Sequence, residues 1–456
     1  MEKSYFILSF RLKTEKWQED VINKRFNAGK KMYNKLVRKS LNVLLELEKT
    51  KKYRNALQAK DWKLVNQLRK NAGLSEYGLS RMMTPLRDRH HVNVDLSQVL
   101  SKNLWRAFDR MFYGDGRKVH FKEELNSLCG KTNKTGIIYR DGYCLWQKLK
   151  IPVTIKNTPF EREVFENHEI AYCQVARKLN KYYLYITFKG KSPKKRVVGN
   201  GEIGIDIGTS TVAIVSKNTA RLLELADKAQ GQDNKKRLLL RKLDRSRRAM
   251  NPENYNPNGT IVAGRKLWKK SKRYLRTQYK LKALMRKQKD IRKYQHECLA
   301  NYIVSLGNVA YVEDMNFKAL QRRSKETTKT KTGRYKCKKR FGKSLANRAP
   351  AMFLEILSRK INVVKINTVE ARASQYNHIT HEYKKKPLSK RWTIVGDYKI
   401  QRDLYSAFLI MNINEDLKTF SEEKCNDRFN TFVEQHNLEI GRLRNSKRKF
   451  LTSMGV

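Results

Sequence analysis

The chain carries 100 Lys and Arg against 43 Asp and Glu over 456 residues, a formal charge of +57. Hydrophobic residues still make up 39%, with 22 Tyr and 17 Phe, which excludes a disordered polycationic tail and allows about two to four domains. Self-repulsion of this size disfavours a compact fold unless a polyanion neutralises it. The charge is spread along the chain rather than confined to one amphipathic helix, so nucleic acid is favoured over an anionic membrane surface.

In chain order, "SYFILSFRL" (4–12) alternates as a strand but has no hairpin partner nearby. From Trp17 to about Phe112 apolar residues recur at three- and four-residue spacing, as in "EDVINKRFNAGKKMYNKLVRKSLNVLLELEK" and "LSQVLSKNLWRAFDRMF", which predicts helices. "YGDGRK" (113–118) breaks the pattern, and a β-rich stretch follows. Its clearest hairpin is "EIAYCQVARKLNKYYLYITFKG" (169–190), two strands around "KLNK". If the first strand pairs into this later sheet, residues 14–118 form a helical insertion in a small β domain. "KGKSPKKRVVGNG" (189–201) is a basic linker. Residues 265–303 are predicted as one long helix, with Leu267, Tyr274, Leu281, Leu284, Ile291 and Cys298 near heptad spacing. That stripe reads as core contact in preference to a separate coiled-coil partner. "RRSKETTKTKTGRYKCKKR" (322–340) has no periodicity and is expected to be a mobile loop.

The six cysteines (Cys129, Cys144, Cys173, Cys298, Cys337, Cys425) form no CxxC pair, so a reducing compartment is expected. The start "MEKSYFILSF" has no signal-peptide layout, and no apolar run nears the roughly 20 residues of a membrane span. A soluble, intracellular protein is the expectation.

Three carboxylates stand out. Asp206 interrupts the buried strand pattern "GIDIGTSTVAIVS" (204–216), and an unpaired buried charge costs roughly several kcal/mol. Because alternate strand residues share a face, Ile203, Ile205 and Ile207 point one way and Gly204, Asp206 and Gly208 the other. Two glycines beside the carboxylate leave nothing to crowd a metal or a phosphate backbone. The alternative is an Asp capping the turn "GTST". In "GNVAYVEDMNF" (307–317) an apolar strand ends on Glu313 and Asp314. In "QRDLYSAFLIMNIN" (401–414), Leu404, Ala407, Phe408 and Met411 mark a helix face with Asp403 in its first turn, where the helix dipole alone favours an acid. Taken together, a strand Asp, a strand-end Glu after a long basic helix and a helix-start Asp follow the order of a RuvC-like nuclease, a variant of the ribonuclease H fold. Such hard oxygen ligands suit Mg²⁺, and two ions roughly 3.5–4 Å apart would activate a water and stabilise the leaving 3′ oxygen.

The chain resembles TnpB, the RNA-guided nuclease of some insertion sequences, and the related compact type V CRISPR effectors. "KKMYNKL", "LWRAFDRMFYGDGRKVHFK" and "KYYLYITF" resemble the early signatures of that family. "GIDIGTSTVAIVS", "VAYVEDMNFKAL" and "RDLYSAFLIMNI" resemble its three RuvC segments in order. The resemblance implies an α+β multidomain protein, with a ribonuclease H-like (RuvC) α/β domain and a small β-barrel wedge-like domain that carries an inserted helical recognition lobe. The wedge-like domain would comprise residues 1–13 and 119–199, and the helical lobe 14–118. The nuclease domain would span 200–370 and 398–456, with 371–397 at the zinc-ribbon position and 322–340 as a lid. By the same resemblance Asp206, Glu313 and Asp403 are the catalytic acids and the ligands of two Mg²⁺ ions. The partners implied are a structured guide RNA and a double-stranded DNA target with a short flanking motif, with no membrane and no obligate protein partner. The setting would be prokaryotic and cytoplasmic, near the nucleoid. Lys30, Lys31, Lys35, Arg106 and Arg110 on the helical lobe are candidate phosphate contacts.

There are two departures from the family pattern. The family's zinc ribbon has two CxxC pairs, whereas "ARASQYNHITHEYKKKPLSKRWTIVGDYKIQRD" has none. His378 and His381, without thiolate partners, read as surface residues, and no structural zinc is expected. Tyr405 and Ser406 stand where the family usually has Asn and Ala. Two other readings compete. An RNA-guided binding protein that represses without cutting would be expected to lack one or more acids, and all three are here. An actin-like ATPase would share "GIDIGTST" but needs a DxGG-type phosphate segment and a Gly-rich adenosine site, neither of which is present.

Overall fold

The first strand finds its partners far along the chain. In the computed structural model, which describes residues 4–90, 92–193, 196–330, 332–333, 335, 341–387 and 389–456, β1 (Tyr5–Leu12) lies antiparallel to a strand that begins at Lys181, with Tyr5 opposite Lys189. The chain divides into two compact units, Met1–Lys195 and Arg196–Val456.

The first unit continues from β1 into helices α1 (Lys16–Lys49), α2 (Lys51–Gln58), α3 (Trp62–Asn71), α4 (Glu76–His90) and α5 (Val94–Tyr113). Then come β2 (Ser127–Cys129), β3 (Ile137–Arg140), β4 (Tyr143–Trp146), β5 (Leu149–Thr154), α6 (Pro159–Asn167), β6 (Ile170–Lys178) and β7 (Lys181–Lys189). The strands form one antiparallel sheet in the order β2-β6-β7-β1-β5-β4-β3. Because β3 comes back against β6, the sheet is a nearly closed barrel. The β6–β7 hairpin turns at Leu179 and Asn180, with Leu179 in the left-handed region at φ 57°. Alternate barrel residues Leu184, Ile186 and Phe188 are buried in one core with Ile22, Phe26 and Leu36 of α1 and Leu100, Leu104 and Phe108 of α5.

The second unit holds β8 (Glu202–Ile207), β9 (Thr211–Ser216), β10 (Thr219–Glu224), α7 (Asp233–Met250), α8 (Lys272–Leu306), β11 (Val309–Glu313) and α9 (Phe317–Leu320). It continues with α10 (Gly342–Arg348), α11 (Pro350–Ser358), β12 (Asn362–Ile366), α12 (Thr368–Ala371), β13 (Trp392–Val395), β14 (Tyr398–Gln401), α13 (Arg402–Met411) and α14 (Glu422–Arg444). The central sheet runs β10-β9-β8-β11-β12. Its β8–β9–β10 half is antiparallel, and its β8–β11–β12 half is parallel. Each face has its own core. Ile203, Ile205 and Ile207 meet residues of α8 and α11, while Ala213, Val215 and Leu222 meet residues of α13 and α14. A sheet covered on both sides explains why β8 and β9 read as almost continuous apolar runs.

The long helix starts later than its periodicity predicts. Ser271 caps it, its side chain accepting from the Tyr274 N–H at 3.0 Å. Asn251 and Asn254 hold the preceding segment through Lys269 and Leu267, so residues 265–271 lie outside the helix. Leu267 and Cys298, expected in the apolar stripe, are exposed, whereas Leu281, Ala300, Ile303 and Val304 are buried. The expected loop at 322–340 falls partly on residues 331, 334 and 336–340, which lie outside the described residues, as does Cys337. Among the described residues no helix is long and apolar enough to cross a membrane.

Candidate active site

Register brings the first two acids level. β8 and β11 are neighbouring parallel strands with Tyr311 opposite Gly204 and Val312 opposite Ile205, so the next step sets Glu313 beside Asp206 on the same face. The isoleucines of β8 face the α8 core, as their alternation predicts, and the carboxylates face α13. The turn after Asp206 closes through its own backbone, Gly208 N–H to Thr211 C=O at 2.9 Å.

The third acid arrives by helix. The β13–β14 hairpin runs directly into α13, whose cap is Gln401, accepting from the Leu404 N–H at 2.8 Å. Asp403 therefore sits in the first turn. The helix is buried on every side from Leu404 to Met411. It lies so close to β8 that a Cβ on Gly204 would stand 1.9 Å from the Ala407 carbonyl oxygen and 2.5 Å from the Met411 nitrogen. The expected open space beside Asp206 is thus corrected on one side. Gly204 makes room for a helix backbone, not for a metal or a phosphate.

Burial, and then the charges of Asp403 and Glu313, raise the Asp206 carboxyl far above the ordinary carboxylate value, while the Ser406 hydroxyl and the Arg402 guanidinium favour its charged form. Burial pushes Glu313, 8% exposed, up to about 7. Asp403 meets two guanidiniums, Arg402 Nη2 at 3.2 Å and Arg391 Nη1 at 3.7 Å. Arg402 is itself tethered to the Pro387 and Lys390 carbonyls, both at 3.4 Å. Asp314 turns away to an exposed ion pair with Lys365 at 2.9 Å. A cleft of about 490 Å³ opens beside Glu313, lined by Asp314, Asn316, Lys318, Glu355 and Lys365 among others.

Clustered carboxylates repel one another unless a proton or a cation neutralises them, and an all-oxygen donor set of this kind suits Mg²⁺. In the described residues, however, no group of three or more His, Cys, Asp or Glu side chains is already drawn together closely enough to hold a metal ion. Asp403 instead faces the two arginines, which supply positive charge at that carboxylate.

The segment at the expected zinc-ribbon position corrects the histidine reading. His378 is 2% exposed and not on the surface. Its backbone N–H donates to the Tyr405 hydroxyl at 3.0 Å, and its Nδ1 lies 2.7 Å from the same oxygen. Its ring packs on Phe429, with centroids 4.6 Å apart. Burial lowers this imidazole to about 4, so the ring is neutral and its Nδ1 accepts a hydrogen bond from the Tyr405 hydroxyl. His381 is exposed, 3.2 Å from Glu422. Arg391 and Arg402 have no counterpart in the sequence reading, which marks Tyr405 and Ser406 only as departures from the family pattern. A Tyr on an otherwise apolar helix was a usable signal, since a buried phenol needs a partner.

The basic candidates lie in the first unit. Lys31, Lys35, Arg106 and Arg110 are exposed and Lys30 is half-buried. Arg106 lines a groove of about 890 Å³ together with Tyr77, Lys102, Lys131 and Tyr172, and Arg110 pairs with Asp115 at 3.8 Å.

No family model matches the sequence, and no curated protein matches it. Among solved structures, the chain is similar to one in a CRISPR-Cas12f ternary complex, at 13% identity and a TM-score of 0.25, over 88% of this chain and 83% of that one. It is also similar to the mini-RNA-guided endonuclease CRISPR-Cas_phi3, at 11% identity and 0.28, over 68% and 65%. A third similar chain is in a Cas12i–crRNA–dsDNA complex, at 10% and 0.29, over 92% and 64%. The chain spans less than two thirds of the length of the last two.

Proposed function

We propose that this chain is a Mg²⁺-dependent nuclease and, in the finer form of the reading, an RNA-guided DNA endonuclease of the RuvC type. The observation that supports it most is the convergence of Asp206, Glu313 and Asp403 from two adjacent parallel strands and the helix across them, in a chain of charge +57. The guide RNA and the duplex target with its flanking motif come from the sequence resemblance.

In this reading Asp206, Glu313 and Asp403 hold the metal. When bound, Mg²⁺ supplies charge neutralisation at the phosphate and activation of the attacking water. The protein groups orient the substrate. Lys318 and Lys365 border the cleft beside Glu313 and counter the charge of an incoming phosphate. Close packing of α13 on β8 covers the Gly204 side of Asp206 and leaves the carboxylate half-buried. Asp403, to serve as a ligand, would have to exchange its ion pairs with Arg391 and Arg402 for the cation.

The test is to express the gene with its flanking DNA, sequence the RNA that copurifies, and assay cutting of a matching duplex in Mg²⁺. A discrete RNA, cutting by the wild type and binding without cutting by Asp206→Ala support the proposal. Heterogeneous RNA that washes off with salt overturns the guided form. A discrete RNA with target binding but no cutting by the wild type favours the non-cleaving alternative, for which the two arginines on Asp403 are the specific observation.

A further inference from the structure

Ser406 sits in the interior of α13, fully buried, and among the described residues its hydroxyl makes no hydrogen bond of ordinary geometry, the Asp206 carboxylate being a group it bears on. Serines inside helices usually donate to a carbonyl of the preceding turn. Here Ser40 does so to Leu36 at 2.8 Å, Ser305 to Tyr302 at 2.7 Å and Ser358 to Glu355 at 3.1 Å. Ser406 does not, and leaving a buried hydroxyl unpaired costs free energy. The tight seat of α13 on β8 calls for a small side chain, and alanine would meet that need, so the hydroxyl is an addition that packing does not require.

Its position suggests what it serves. Ser406 follows Asp403 by three residues, one helical turn on, and so shares its face of the helix. That face meets β8, where Asp206 stands two residues beyond Gly204. The hydroxyl bears on the Asp206 carboxylate and favours its charged form.

We infer that Ser406 is a positioning residue, whose hydroxyl donates to the Asp206 carboxylate and holds it in the orientation that presents its other oxygen to a divalent cation. This rests on the metal-dependent reading of the three acids. Partners behind a metal ligand fix its direction, and their loss typically weakens metal binding by about 10–100-fold. A threonine keeps the hydroxyl and an alanine removes it.

The experiment measures Mn²⁺ binding to the full chain by calorimetry, without nucleic acid, for the wild type, Ser406→Ala, Ser406→Thr and Asp206→Ala. The expected result is binding weakened about tenfold by Ser406→Ala and within about twofold of wild type for Ser406→Thr, with the melting temperature near wild type for Ser406→Ala and lowered for Ser406→Thr by its added methyl. In the cutting assay the Mg²⁺ concentration for half-maximal rate should rise for Ser406→Ala by a similar factor. Wild-type Mn²⁺ affinity in Ser406→Ala, or equal weakening in both Ser406 variants, overturns the inference and leaves the nuclease reading standing. If Asp206→Ala binds Mn²⁺ as well as the wild type does, the carboxylates are not a metal site, and both readings fall.

Discussion

Two acids of the second unit, the buried Glu439 and the half-buried Asp206, are treated in opposite ways. Glu439 on α14 accepts the Leu222 N–H at 2.9 Å, Arg221 at 2.9 Å and both arms of Arg442 at 2.7 Å. It ties α14 to β10 and leaves nothing over for a ligand. Asp206 has two other acids for neighbours and the Ser406 hydroxyl, which makes no hydrogen bond of ordinary geometry among the described residues. A structural carboxylate is satisfied from within the fold, whereas a site carboxylate is left wanting a cation. α13 repeats the contrast on a smaller scale. Its Tyr405 is fully engaged by His378, while Asp403 and Ser406 look toward β8.

The comparison can be broken most directly by removing each acid. Asp206→Ala should lower cutting by at least about 10³-fold while leaving the melting temperature unchanged or raised, because it removes like-charge repulsion. Glu439→Ala should do the reverse, costing about 1–3 kcal/mol in chemical denaturation with cutting retained; its arginine partners can turn to water, but the Leu222 N–H is orphaned. Equal losses of stability from the two substitutions would sink the distinction.

Tyr405→Phe sharpens it. The variant strands the His378 N–H and Nδ1 in the core, and a cost of about 1–2 kcal/mol is expected, with Mn²⁺ affinity unchanged. A loss of affinity instead would mean that the two faces of α13 are not separable. A smaller effect is expected from pH. Burial depresses His378 to about 4, so its unfolded form takes up a proton near 6.5 and its folded form only near 4. Its contribution is therefore present above about 6.5 and is lost as pH falls toward 4. Burial also lowers His296 and His436, which act in the same direction. Unfolding titrations of the wild type and His378→Gln should differ in slope across that window, and parallel curves would count against it. The smallest expected effect is that of 1,10-phenanthroline, which should leave the melting temperature unchanged. Near-stoichiometric zinc in the purified protein would reverse that expectation.

The acids were legible because each depends on a short-range pattern. Period two around Asp206 separates the isoleucines from the carboxylate within a few residues, and the β11 run ends visibly on Glu313. The start of α8 was misread because the asparagines that hold residues 267–269 lie in another segment, beyond the reach of a helical period. His378 was misread for a similar reason. Its burial depends on a tyrosine 27 residues away that had been noted only as a departure from a pattern.

By itself the sequence determined the large positive charge, the period of the main strands and helices, and the order of the three acids, since composition and local spacing suffice for these. Only the tertiary structure decided that β1 pairs with β7, that Gly204 admits a helix rather than a ligand, that two arginines meet Asp403, and that the Ser406 hydroxyl is left for Asp206. Each of these is a contact between distant segments. Its energy arises from desolvation and close approach, which no local period encodes.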